Sequence, residues 1–311
     1  MVQQGMTFQH KQPLKKRLWK ARWFYLLMLP GILYFIIYKY VPMFGLVMAF
    51  QDYSPSLGFF ASPWVGLKHF DQFFSYGQFE HLFSNTLIIS LLCLVFSFPA
   101  PVILALFLNE IRHKGFKRVT QTLMYLPHFL SAVVVCSITY QLFSVEDGVI
   151  NHILNALGFE SVNVLMNEAA YRSLFVGLEI WQGTGWGTII YLAALSSVDV
   201  QMYEASMLEG ANRWQQILHV TLPGIAPTIV MMFILRLGGM MDAGFSQILV
   251  MYNPTVYKSG DIIGTYVDRI GLGQLNFSQG TLVGLFNSVV NCILMLGGNM
   301  LSRKLTEKSI W

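Results

Sequence analysis

The chain has 311 residues, of which 54% are hydrophobic and only 12% charged, against about 25% charged in a typical soluble domain. That imbalance excludes an ordinary soluble globular protein and points to a polytopic membrane protein. The formal net charge is +4, but where the charges fall says more than their sum.

A membrane-crossing helix needs about 20 mainly apolar residues, and six stretches qualify. The first, about 23–50, is interrupted by Pro30, Lys39 and Pro42. It is long and lacks a small-residue cleavage pattern, so it is expected to remain as a span rather than a removed signal peptide. The others are about 86–108, 119–143, 173–195, 224–241 and 281–301. All are uniformly apolar rather than alternating, which excludes a lipid-exposed barrel. Cys93, Cys136 and Cys292 lie inside apolar runs and read as small packing residues, not a disulfide framework or a metal cluster. No repeat and no Pro-, Gly- or Ser-rich linker divides the chain. The expected layout is a basic tail (1–22), one six-span domain (23–301) and a short C-terminal tail (302–311).

Basic residues fall mainly on one side. The N-terminal tail carries Lys11, Lys15, Lys16, Arg17, Lys20 and Arg22; the loop after span two carries Arg112, Lys114, Lys117 and Arg118. Arg213, Arg303, Lys304 and Lys308 complete that side. The opposite side has Lys68, Arg172, Lys258 and Arg269. The excess of Lys and Arg on inner loops predicts that both termini are cytoplasmic, together with the segment 196–223 between spans four and five.

That segment includes YEASMLEGANRWQQILHVTLP, residues 203–223. Ser196 and Asp199 have the spacing of a capping box, predicting a helix from about Ser197. Val200, Tyr203 and Met207 share a helical face, and Gly210 suits the left-handed residue just past a helix end. Asn212 suits the cap of a second helical piece bearing Trp214, Ile217 and Leu218. Pro223 is expected to break that piece as span five begins. The physics leaves two readings open: an amphipathic hairpin lying on the inner leaflet, or a docking element for a cytoplasmic partner.

The spacing Glu204-Ala205-Ser206, three residues, Gly210, nine residues, Val220-x-Leu222-Pro223 resembles the "EAA" loop of permease subunits of ABC importers. Ser206 and Val220 stand where that pattern has Ala and Ile. The surrounding ASMLEGA, the external VGLKHF and the six-span layout fit the same family. The run LLMLPGILYFIIYKYVPMFGLVMAFQDYSP resembles the first span of permeases that import oligosaccharides or polysaccharide fragments. The resemblance implies an all-α, type I ABC importer permease-like fold in a bacterial inner membrane. It also implies that Tyr203, Glu204, Ala205, Ser206, Glu209, Gly210, Ala211, Leu222 and Pro223 couple the chain to an ATPase. The implied partners are a second permease, a different chain by expectation, two ATPase subunits and an extracytoplasmic solute-binding protein. ATP and magnesium would sit on the ATPase, since no phosphate-loop pattern occurs in this sequence, and this chain is expected to bind no cofactor and to be no enzyme.

Polar groups inside spans usually face a bundle interior or water, so Glu179, Trp181, Gln182 and Trp186 are candidates for a substrate path. Trp181 and Gln182 are adjacent and share a face only if Gly183, Gly185 and Gly187 distort the helix. The same residues fit interfacial Trp and packing Gly equally well. Arg236 is expected to pair with Glu179 or Asp242. Asn287 and Asn291, four apart, share a face as interhelical hydrogen-bond donors or as path lining. His128 has no second ligand at metal-site spacing. A secondary transporter or channel is the alternative, with Glu179, Arg236 and Asp242 as seeds of an ion relay, though no inverted repeat is visible. A membrane scaffold with an interfacial hairpin is a third.

Overall fold

The computed structural model describes residues 19–75 and 77–306. The basic residues Lys11, Lys15, Lys16 and Arg17 and the terminal Lys308 lie outside the described residues. Among those described, the fold is all-helical, with one isolated bridge between Gln51 and Trp64 instead of a sheet. In chain order the main helices are α1 Arg22–Phe50, α2 Lys68–Ser75, α3 Gln78–Glu110, α4 Lys114–Phe129 and α5 Ala132–Phe143. They continue with α6 Glu168–Ser196, α7 Val200–Leu208, α8 Arg213–Gly238, α9 Phe245–Met251, α10 (263–273) and α11 Phe277–Thr306.

Helices α1, α3, α8 and α11 are long and apolar enough to cross a membrane, and α4 with α5 makes a fifth if that pair, bent by 101°, is one span. Helix α6 has 29 residues, about 43 Å at 1.5 Å per residue, but Glu179, Gln182 and its glycines make it more polar. The observed helices overrun the predicted apolar stretches by several residues, because an apolar count senses lipid thickness rather than helix length.

Proline was expected to interrupt span one and to break the chain just before span five, and it does neither. Pro42, Pro99 and Pro223 each follow a turn of π helix, at Ile36–Tyr40, Cys93–Ser97 and Ile217–Thr221. A proline lacks an N–H and collides with the carbonyl four residues back. Widening the preceding turn moves the bonding pattern five residues back, as where the Phe98 amide donates to the Cys93 carbonyl at 3.1 Å, and the helix continues. The third predicted span differs too: it bends around Pro127, in the short turn Leu126–Phe129.

Helix α6 is the central strut. Residues Tyr191 and Leu195 pack on Val102, Ala105 and Ile225 of α3 and α8, while Phe175 and Val176 pack on Ile89, Cys93 and Ile248. It runs unbroken, so its glycines do not distort it. They allow close approach instead. A Cβ at Gly185 would lie 1.8 Å from the Met124 carbonyl oxygen, and one at Gly187 would lie 2.9 Å from the Pro101 ring. Helix α1 is the opposite case: its most apolar window is only 6% buried in this chain, and it joins the core at Ala49 against Leu282 and Val283 of α11.

Opposite the α7 end, the segment 252–273 is fastened by polar contacts. Arg172 of α6 donates to the Ser259 carbonyl at 3.1 Å and to Asn85 Oδ1 at 2.7 Å, and Asn85 Nδ2 donates to the Asp261 carbonyl at 3.0 Å. Arg269 grips the Asp261 carboxylate with two bonds of 2.7 and 3.1 Å, which push its guanidinium higher still in pKa.

Gly185→Val forces α6 from α4, and because the clash is with main chain the cost is expected to reach or exceed the ~1–3 kcal/mol of core overpacking. Gly183→Ala, with nothing within 4 Å of its Cβ position, should be tolerated. Thermal unfolding of the two detergent-purified variants tests this; equal stability would refute the packing role.

Candidate functional site

Two features stand out. The first is a cavity of about 1040 Å³ between α3, α6, α8, α9, α10 and α11, lined among others by Glu179, Gln182, Gly183, Arg236, Asp242, Gln247 and Asn287. It exists because two helices break beside it. Helix α8 ends at Gly238, and the chain passes through Ala243 (φ 45°) and Gly244 (φ 70°) before α9 resumes. Gly244 is required twice over: its φ is left-handed, and a Cβ would lie 2.3 Å from the Phe175 ring. A helix break frees main-chain groups that cannot be left unpaired away from water. Here Ser90 Oγ donates to the Met240 carbonyl, and the Met241 amide donates to Asn291 Oδ1 at 2.9 Å. At the α4–α5 break, Gln182 Nε2 donates to the Leu130 carbonyl at 2.8 Å.

The candidate path residues therefore separate. Glu179, Gln182, Arg236, Asp242 and Asn287 line the cavity. Arg236 reaches Glu179 at 3.8 Å, one of its two expected partners. Asn291 does not line it and instead holds the break. Trp181 and Trp186 also lie outside the lining: Trp181 projects from another face of the regular helix than Gln182, whereas Trp186, one turn on from Gln182, is taken up by a neighbouring ring. Trp186 stacks on His128, ring centroids 4.7 Å apart and nearly parallel. Sequence reasoning missed Gln247 and the broken helix, although GGMMDAG at 238–244 carries three glycines and a carboxylate inside an apolar run. No cluster of potential metal ligands occurs among the described residues.

The second feature is the helix–turn–helix at the other end of α6. Helix α7 starts one turn later than expected: α6 runs through Ser196, so Asp199 itself is the cap, its carboxylate accepting from the Gln201 amide at 2.9 Å. The helix ends as predicted. Gly210 has φ 82°, its amide bonds to the Met207 carbonyl, and the Ala211 amide reaches back to Ser206, the double closure of a Schellman motif. Asn212 and Gln215 then form a reciprocal capping box, with bonds of 3.0 and 2.7 Å. Beyond it the chain enters α8 without a break, through the π turn before Pro223. Two contacts tie this unit to the bundle: Tyr203 and Thr221 hydroxyls at 3.0 Å, and Arg213 with Glu110 at the end of α3 at 2.6 Å. Its apolar residues face outward, Leu208 being 90% exposed and Trp214 69%.

A chain of long apolar helices enclosing a cavity lined in part by charged and amide side chains has the build of a transport component. The chain belongs to the family of binding-protein-dependent transport system inner membrane components, whose model matches residues 97–306. In that family ATP hydrolysis is done by a separate subunit. The chain is similar to protein LplB of Bacillus subtilis (strain 168), 45% identical over 94% of this chain and 92% of that one. It is 44% identical to the polygalacturonan/rhamnogalacturonan transport system permease protein YteP of the same organism, over 97% and 94% of the two chains. Among solved structures it resembles a chain of the bacterial alginate ABC transporter in complex with an alginate pentasaccharide-bound periplasmic protein. That match has a TM-score of 0.88 and 37% identity, covering 96% of this chain and 99% of that one.

Asn291→Leu leaves the Met241 amide without its acceptor and is expected to cost about 1–3 kcal/mol of stability. Asn287→Leu, whose Oδ1 has no partner, should cost less. Thermal melts of both purified variants decide, and the reverse order would reject this division of roles.

Proposed function

We propose that this chain is one of two permease subunits of an ATP-driven importer for oligosaccharides or polysaccharide fragments. The second permease, a different chain, closes the cavity; two ATPase subunits bind ATP and magnesium; an extracytoplasmic solute-binding protein delivers substrate. This chain itself carries no cofactor. It crosses the bacterial inner membrane six times, as α1, α3, the bent α4–α5, α6, α8 and α11, with both termini, residues 1–22 and 302–311, in the cytoplasm. The one-sided basic residues support this topology. So does the Arg213–Glu110 pair, which brings the 111–113 turn and the 196–223 loop to one end of the bundle. The carbohydrate class rests on the names of the relatives and on a cavity lined with amides and carboxylates.

The observation that carries the mechanism is the exposed α7 with its rigid continuation into α8. Closure of the ATPases on bound ATP displaces α7. Gly210 and the Asn212 capping box fix its angle to α8, so the displacement travels along the 26 residues of Arg213–Gly238, about 39 Å. It arrives at the break beside the cavity. Tyr203, Glu204, Ala205, Ser206, Glu209, Ala211, Leu222 and Pro223 supply the contact and the joint. The path opens outward to receive substrate and returns inward after hydrolysis.

Gly210→Val places a β-branched residue at φ 82° with open space around it. The cost of about 1–2 kcal/mol for a left-handed non-glycine residue should fall on the loop alone. The protein should still insert while substrate-stimulated ATP hydrolysis and uptake fall together in proteoliposomes. Normal ATP-driven uptake would count against the coupling role, and transport by this chain alone without ATP would overturn the importer reading in favour of a secondary transporter.

A further inference from the structure

Beyond α1 the chain holds large apolar side chains in the open on a loop that is firmly built. Leu57, Phe60, Trp64 and Leu67 are exposed, Phe60 completely. Beneath them the main chain is fastened at each turn. The Val65 and Gly66 amides donate to the Phe50 carbonyl at 2.9 and 3.1 Å, and the Asp52 amide donates to the Pro63 carbonyl at 2.9 Å. Gln51 Nε2 donates to the Phe59 carbonyl at 2.9 Å, and Ser62 Oγ donates to the Gly58 carbonyl at 2.6 Å. Large apolar groups held rigidly in the open mark an interaction surface.

What covers this surface follows from its height, its side and its charge. The bonds to Phe50, the last residue of α1, and the stacking of Trp64 on the Phe50 ring, centroids 5.8 Å apart, hold the indole level with the end of α1. That helix is long and apolar enough to cross a membrane, and its end is the depth at which Trp side chains gather. The side is set by α11. The Tyr53 amide donates to Ser278 Oγ at 2.9 Å, and Ser278 Oγ donates to the Gln51 carbonyl at 2.7 Å. From Ser278 to Asn287 of the cavity lining is about two and a half turns, so the loop is pinned to the face of α11 turned away from the cavity. It stands on the perimeter of the bundle, not on the side that the proposed partner permease closes. Finally, residues 53–67, YSPSLGFFASPWVGL, contain no Asp, Glu, Lys, Arg or His, and the flanking Asp52 and Lys68 pair with each other at 3.4 Å. A protein partner held by complementary charge has nothing to grip here. Entry of aromatic and leucine side chains into a headgroup layer needs no charge.

We propose that loop 53–67 is a lipid-binding foot, lying in the headgroup region of the bilayer at the end of the bundle opposite α7, with Phe60 and Trp64 inserted among the lipids. It fixes the depth of the one end of α1 that joins the core of this chain. The foot requires that the bundle cross a bilayer and serves an importer or a secondary transporter alike.

The test uses the full transporter, with its partner subunits, in phosphatidylcholine vesicles. Phe60→Cys carries a bimane label in a Cys292→Ser background, since Cys93 and Cys136 are buried, and the signal of the labelled background without Phe60→Cys is subtracted. A side chain about 5–10 Å into the headgroup boundary lies within reach of a nitroxide on the shallow part of a lipid chain. Nitroxide phosphatidylcholine should therefore remove most of the bimane emission, at low and at high salt. Failure of the nitroxide lipid to quench overturns the proposal: strong quenching by aqueous iodide then means open water, and quenching by neither means a protein cover. Trp64 gives a second reading without a label. Brominated phosphatidylcholine should quench the tryptophan emission of the parent transporter more than that of Trp64→Phe, and equal quenching overturns the placement of Trp64. ATP-driven uptake by the same vesicles decides the importer reading separately, so the two can fail independently.

Discussion

The structure depends on one constraint: in a hydrocarbon environment each main-chain N–H and C=O must find a partner inside the protein. Helices meet it locally, and the departures from regular helix here show how strictly it is kept. The π turns before Pro42, Pro99 and Pro223 let the helix run on where the proline ring and its missing N–H would otherwise stop it. Where the chain does break, at 130–131 and 239–244, a side chain from another helix takes up the freed group: Gln182, Ser90 or Asn291.

This changes the meaning of polar residues in apolar spans. From sequence, such a residue reads either as glue between helices or as path lining. In this chain several belong to a third kind, pairing with the backbone of a neighbouring broken helix. Asn291 is wholly of that kind. Gln182 combines it with a cavity position, and the cavity is there because the helices are broken. The breaks create the space, and the pairing residues stabilise the breaks. Gln247 and Asn287 line that space, and each keeps one side-chain oxygen buried without a partner.

Most of the architecture was legible in the sequence because span length, uniform apolarity and capping are local properties. The Gly210 turn and the Asn212 cap fell where spacing placed them. What was not legible depended on through-space partners. The 101° bend and the continuity past Pro223 turn on whether a π turn or a neighbouring amide relieves a proline, which the proline does not announce. The start of α7 was misplaced because Ser196 and Asp199 both suit a cap, and packing against α3 and α8 carries α6 through the serine. The glycines of α6 read correctly as packing residues at 185 and 187, but Gly183 faces open space, a distinction that periodicity cannot draw.

The two candidate sites are joined by α8, and the form of that joint limits how force passes through it. A flexible loop between α7 and span five would absorb displacement in its own dihedrals. Instead, the capping box at Asn212 and Gln215 fixes the start of α8, the π turn carries it past Pro223, and no other break intervenes before Gly238. The bends therefore lie at the ends: Gly210, held by its Schellman bonds, on one side, and Gly239, Ala243 and Gly244 on the other. A helix held stiff between two glycine-bearing joints behaves as a lever. Its far joint abuts the Met240 and Met241 main-chain groups held by α3 and α11. In the proposed mechanism, movement of α7 would reach α3 and α11 of the cavity wall together, through the same hydrogen bonds that make the break tolerable.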